Sequence, residues 1–190
     1  MNTTFAPTIL SRYLTRTDRR LRDMMLILTG SLFVAMMAQV RIPLPFTPVP
    51  LTGQTFAVLL AGIALGSRRG SASMLLYLIL GAIGLPVFAG GTSGLATVAG
   101  PTGGYLIGFL GAAWVAGRLA EHGLDRNFRS IWLVFLAGEA VIYLFGLPWL
   151  SLYVGVQKVM VAGLIPFLPG DLVKLVATTL VLPSIWKLIE

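Results

Sequence analysis

Six stretches of this sequence are apolar over enough length to be read as membrane spans: Met24–Val40, Leu51–Gly66, Ser71–Phe88, Gly104–Ala120, Ile131–Leu150 and Asp171–Leu188. A bilayer core of about 30 Å takes about 20 helical residues, with about 17 as the lower limit. The first two stretches lie near that limit, and tilting or local thinning of the bilayer would accommodate them. Backbone N–H and C=O groups find no water at that depth, so such segments are helical. The composition points the same way. Only 11% of residues are charged, against about 25% in soluble domains, which is too little polar surface to coat a soluble globule. The mean hydropathy is +0.87. The expectation is all-α: one integral membrane bundle of six transmembrane helices over residues 24–190, preceded by a basic arm over residues 1–23.

Strong breakers separate the six stretches. Arg41–Pro50, "RIPLPFTPVP", carries four prolines and cannot be helical throughout. Ser67–Gly70 reads as a tight polar turn, Gly90–Gly104 as a long uncharged glycine-rich loop, and Glu121–Arg129 as a polar loop. Within Ser151–Gly170, a short helix is expected over Gln157–Leu164, at the interface or dipping back into the bundle. A seventh full span there is the alternative, but Pro166 and Pro169 leave too little length. No internal repeat stands out.

The net charge is +7, and its distribution excludes a nucleic-acid reading. Arg12, Arg16, Arg19, Arg20 and Arg22 lie in the arm, Arg68 and Arg69 in the second loop, Arg118, Arg126 and Arg129 around the fourth, and Lys187 at the C-terminus. The other three loops offer only Arg41 and Lys158. With six spans these groups fall on opposite sides, and the positive-inside rule puts both termini in the cytoplasm. The proline-rich and glycine-rich loops and the Lys158 loop then face outward. The basic run from Arg12 to Arg22 is followed by an apolar segment with no A-x-A-like site, so a cleavable signal peptide is not expected.

Several chemistries lack their residues. There is no cysteine, so no disulfide or thiolate metal site. There is no GxxxxGK[ST] phosphate loop, and the one histidine, His122, lies in a charged loop. No carboxylate pair at helical spacing and no Ser/His pair within the membrane appears, so neither an enzyme nor a metal or cofactor site is expected.

Charges at membrane depth are costly and therefore mark candidate sites. Three qualify: Glu139, Asp171 and Lys174. Asp171 follows "LPG" at a helix start, where a carboxylate can cap free backbone N–H groups. Lys174 shares its helix face. The pair reads as a mutual salt bridge, as a cap with a snorkelling lysine, or as an acceptor and donor facing a polar ligand. Glu139 reads equally as an internal hydrogen bonder or a ligand-side residue. Tyr143, Trp149 and Tyr153 read as packing or interfacial residues before ligand-stacking ones. Glycines let backbone fold closely over a ligand, so the glycine-rich loop reads either as a plain connection or as a lid hinged near Gly84–Gly91.

Four motifs in order, "PLPFTPVPLTGQTFAVLLAGIALG" (Pro43–Gly66), "GLPVFAGG" (Gly84–Gly91), "GPTGGYLIGF" (Gly100–Phe109) and "PFLPGDLVK" (Pro166–Lys174), resemble the BioY family. These are the biotin-binding S components of energy-coupling factor (ECF) importers. The resemblance covers nearly the whole chain from Met24 onward. It implies a six-helix, multi-pass protein in a prokaryotic cell membrane that captures biotin from outside with high affinity. It also implies delivery together with a transmembrane coupling protein and two ATPases, through which ATP would enter. By the resemblance Asp171 and Lys174 line the biotin site and the Gly84–Gly104 loop covers it. The other candidate contacts are Gln54, Tyr105, Gly90, Gly91, Thr92, Ser93, Tyr143 and Glu139. The loop has no cation for a carboxylate tail, so Thr92, Ser93 or backbone N–H groups would serve. A small-residue pattern like that of S components, Ser31-x-x-x-Ala35 with Ala38 one turn on, is a candidate coupling face; internal packing is the other reading. Remaining alternatives are a different vitamin, such as thiamin or riboflavin, and an intramembrane enzyme or assembly factor using Glu139 and Asp171.

Overall fold

The computed structural model describes residues 4, 6, 7 and 18–189, and only the backbone of residues 181 and 183–189. The basic arm expected over residues 1–23 falls largely outside the described residues, as does the Lys187 side chain. Helix α1 (Arg19–Gln39) opens on Asp18, whose carboxylate accepts the Arg20 N–H at 3.0 Å. Helices α2 (Gln54–Leu65) and α3 (Ser67–Ala82) join through Gly66 alone. That residue sits at φ +85°, where a side chain would be strained, and an added Cβ would approach Glu121 and Thr4. A short helix α4 (Leu95–Val98) lies in the glycine-rich loop, followed by α5 (Gly103–Glu121) and α6 (Ile131–Val154). Next come the one-turn α7 (Val159–Gly163) and α8 (Leu168–Ile189), which carries Pro169 in its first turn, where a proline is tolerated.

The structure departs from the sequence expectation in three ways. First, a ribbon brackets the proline-rich segment. The segment's first two residues pair with the two that follow it as an antiparallel ribbon, β1 (Arg41–Ile42) with β2 (Leu51–Thr52), in the register Arg41 to Thr52 and Ile42 to Leu51. Leu51 and Thr52 were expected to begin the second span. Second, α2 is consequently 12 residues long, about 18 Å at the helical rise, and does not cross a 30 Å core alone. Among the described residues two helices, Arg19–Gln39 and Ile131–Val154, are long and apolar enough to span by length and composition. Third, Ser31 and Ala38 are buried (1% and 0% exposed), and only Ala35 is partly exposed. The small-residue pattern thus closes α1 onto the bundle, with Gly30 pressed against Ser73 of α3. Small residues allow close approach on whichever face they occupy. The short helix expected at Gln157–Leu164 is α7.

Helix α5 is the hub, packing on α2, α3 and α6. Its buried face is built from Gly104, Gly108, Ala112, Ala113, Ala116 and Gly117, which lets three neighbours approach closely. Helix α8 packs on α6 and α2 and completes a cage with α5. The outward faces are apolar as well: Leu28, Met36, Trp114, Leu144 and Val173 are among the exposed large side chains. A belt of that extent suits hydrocarbon and would be an aggregation hazard in water.

Candidate functional site

The cage encloses a cavity of about 420 Å³ between α2, α5, α6 and α8. The β1–β2 ribbon and the glycine-rich loop contribute to its wall. Part of that wall is polar. The first turn of α8 points the Asp171 carboxylate inward, where it accepts from the Tyr143 hydroxyl at Oδ2 and from Lys174 Nζ at Oδ1, 3.0 Å away. The Lys174 ammonium also donates to Thr55 Oγ1 of α2 at 2.8 Å. Both members of the ion pair are nearly sealed, at 14% and 11% side-chain exposure. Among the described residues the Asp171 carboxylate bonds these side chains rather than backbone N–H groups of its own first turn. It ties three helices together instead of capping one.

Gln54 borders the same space. Its Nε2 donates to the buried Tyr77 hydroxyl at 2.7 Å and its Oε1 accepts from Thr52 at 3.1 Å, which fixes the amide. Tyr105 stands edge-on to Tyr143, with ring centroids 6.3 Å apart. Its hydroxyl donates to Gly163 O at 2.9 Å, anchoring α7. Phe88, Leu106, Phe109, Ile142 and Phe167 make the middle of the cavity apolar.

The structure brings Asp171, Lys174, Gln54, Tyr105, Tyr143 and Thr92 to the cavity wall. Gly90, Gly91 and Ser93 lie behind Thr92 and do not line it. Gly90 and Gly91, at φ +69° and +74°, shape the turn that presents Thr92. Glu139 does not line the cavity either. It sits one turn before Tyr143 on α6, 5% exposed, with neither carboxyl oxygen hydrogen-bonded. Trp149 and Tyr153 hold the loop from behind: Trp149 Nε1 donates to Gly100 O at 2.9 Å, and the Tyr153 hydroxyl donates to Ala99 O. Among the described residues no cluster of three His, Cys, Asp or Glu side chains could hold a metal.

Of the charged lining residues, one was missed from sequence. Arg41 of β1 reaches the cavity, and its guanidinium lies where a Cβ on Gly90 would be. The available signal was its isolation as one of two cations in the outward loops. The loop itself carries no cation, but the ribbon supplies one beneath it. The arrangement can therefore hold a small molecule with a hydrogen-bonding head, an apolar middle and an anionic tail.

The comparisons with known proteins agree with this geometry. The family model described as the BioY family matches residues 8–190. A probable biotin transporter BioY of Pyrococcus horikoshii is 46% identical over 145 residues, covering 76% of this chain and 85% of the relative. The biotin transporter BioY of Rhizobium etli is 39% identical over 169 residues, covering 84% and 90%. A crystal structure of the S-component for biotin from an ECF-type ABC transporter superposes with a TM-score of 0.77 at 28% identity, covering 89% of this chain and 93% of that one. The relatives are named transporters, which sets the enzyme reading aside. With a family match over nearly its whole length, and the fold of an S-component, this chain belongs to the BioY family.

Proposed function

We propose that this chain is the high-affinity biotin-binding S component of an ECF-type importer in a prokaryotic cell membrane. Six helices cross the bilayer with both termini cytoplasmic, and α2 reaches across with the help of the β1–β2 ribbon and local thinning. Biotin enters from outside, and release inward depends on a transmembrane coupling protein and two ATPases. The chain itself needs no cofactor.

The observation that carries this reading is the Tyr143–Asp171–Lys174–Thr55 constellation at the end of an apolar cavity. The cavity volume falls in the usual range for small-molecule sites. Biotin's ureido group both donates and accepts hydrogen bonds. Asp171 accepts its N–H, and Lys174 and Gln54 stand on the side of its carbonyl. The fused rings lie against Phe88, Phe109, Ile142 and Phe167, and the carboxylate tail extends toward Arg41. Two cations and one carboxylate on the wall disfavour a cationic vitamin such as thiamin. With Ser31 and Ala38 sealed, Ala35 remains the candidate coupling position on α1.

The test is isothermal titration of the detergent-purified protein with biotin, thiamin and riboflavin. Heat of binding near one-to-one with biotin alone is expected. A response to another vitamin without one to biotin overturns the assignment. Capture of an ATPase module from native membranes, and uptake that disappears without it, tests the partners.

A further inference from the structure

The described site leaves one buried ionisable group without a task. Glu139 is 5% exposed, and neither oxygen has a hydrogen-bond partner among the described residues. A buried polar atom left unpaired is costly, and such a group calls for an explanation. It stands where α6, α2 and α8 meet, and those three helices pack on one another pairwise. Its neighbour Gly138 presses on Leu59 of α2, one turn beyond Thr55. The groups facing it are Thr55 from α2 and Asp171 and Lys174 from α8, all within electrostatic reach, with Tyr143 one turn ahead on its own helix.

The empty site is closed on itself. Asp171 has one oxygen held by Tyr143 and the other by Lys174. Each Asp171 oxygen keeps a further lone pair, so a ligand N–H can join the network; where it competes with Lys174 for Oδ1 and the ammonium swings away, that ammonium needs another anion in an apolar cage. Of the two bonds Lys174 makes, to Asp171 and to Thr55, only the first is to a charge. We propose that Glu139 is the standby counter-ion of Lys174. It takes up the ammonium when Asp171 turns to the ligand, so that opening the site strands no charge. Glu139 is thus a positioning residue that acts through Lys174 without touching the ligand. The inference rests on the reading of the cavity as the biotin site.

The test is a double-mutant cycle on the full chain with Glu139→Gln, Lys174→Met and the pair, measured by biotin titration. Glu139→Gln is expected to weaken biotin binding about tenfold in the wild-type background, the scale of a charge-assisted hydrogen bond. In the Lys174→Met background it is expected to change binding less than about twofold. Wild-type affinity in Glu139→Gln overturns the proposal, and so does an equal loss in both backgrounds, which would mean that Glu139 acts without Lys174. Where Glu139→Gln is not monodisperse, Glu139→Met, which also removes the carboxylate, replaces it in the same cycle. Thermal unfolding of the four proteins without ligand reads the pair separately. Lys174→Met leaves Glu139 and Asp171 facing each other without a cation, so Glu139→Gln should raise the midpoint in that background and not in the wild type. No such rescue overturns the coupling, even where the wild-type chain fails to bind biotin. That failure of binding alone overturns the previous section's assignment.

Discussion

Replacing Asp171 with Asn tests the site most directly, because the change keeps the shape and removes one charge. In the empty protein Asp171 accepts from Lys174 at 3.0 Å and from Tyr143. The amide keeps one acceptor. Lys174 can only donate, so the amide oxygen must face it, and the new NH₂ must face the Tyr143 hydroxyl, which can rotate to accept. The network survives with Lys174 less well neutralised, so the fold should persist with a lower thermal midpoint. Binding suffers differently. The position facing the ligand's N–H becomes a donor or a neutral acceptor in a nearly sealed site, with 11% exposure at residue 171. The lost charge-assisted bond is worth about 1.5–3 kcal/mol, which is about 10- to 150-fold in Kd. Isothermal titration with biotin measures this, with circular dichroism and a thermal melt as fold controls. A folded Asp171→Asn protein that binds biotin like wild type would refute the assignment of Asp171 and reduce the pair to a structural tie between helices.

Other substitutions probe other parts of the argument. Arg41→Gln should weaken biotin about tenfold or more, by loss of a charge-assisted contact, while an uncharged biotin amide binds both proteins alike; equal losses for both ligands would remove Arg41 from the tail position. Ala38→Leu should destabilise the purified protein by about 1–3 kcal/mol through overpacking, because Ala38 is fully buried; a wild-type melt would mean that this face of α1 is open. Glu121 lies at the basic end, outside the expected spans. Burial pushes its carboxyl up, but the Ser67 N–H and hydroxyl at 2.8 and 2.9 Å, and then Arg118, outweigh this and hold it below its ordinary value of 4.5. A depressed folded-state pKa stabilises the protein above the unfolded value, and this contribution is lost as pH falls through the folded one. Melts of Glu121→Gln should therefore fall below wild type at pH 7 by about 1 kcal/mol or less and converge with it as the pH drops below about 4; a constant gap would contradict the assignment.

How much of this was legible in the chain differs residue by residue. Asp171 and Lys174 stood out because charges in an apolar run are costly, and the structure places them at one end of a cavity. Their partners did not stand out. Thr55 and Tyr143 lie 119 and 28 residues from the atoms they bond, and nothing local announces such pairings. Of the small residues Ser31, Ala35 and Ala38, the first and last serve close approach inside the bundle, and only Ala35 keeps an open side. Spacing fixes which residues share a face, and only the packed bundle decides which face is inside. The second span was overextended because Leu51 and Thr52 are apolar enough to continue it. The ribbon claims them, with the Gly53 N–H bonding Val40 O at 3.0 Å just before α2 begins.

The glycine-rich loop shows how two sequence oddities answer each other. The loop carries no charge although its residues line a cavity read as taking an anionic tail, and Arg41 in the ribbon is, with Lys158, one of two cations in the loops expected to face outward. In the folded chain these are one device. Phe88 N–H bonds Thr92 O at 3.1 Å, and Gly91 N–H bonds Phe88 O at 3.0 Å, closing a tight turn around Gly90. Gln39 at the end of α1 donates to Phe88 O at 3.3 Å and holds the turn beside the ribbon. The turn needs Gly90 and Gly91 at positive φ, and any Cβ at Gly90 would occupy the space of the Arg41 guanidinium. A cation within the loop would have to travel with it whenever the cover opened. Mounted on the ribbon, next to the start of α2, the charge belongs to the cavity wall and not to the loop. On the proposed biotin reading, the anionic tail would meet a cation fixed beside the cavity instead of one carried by the loop.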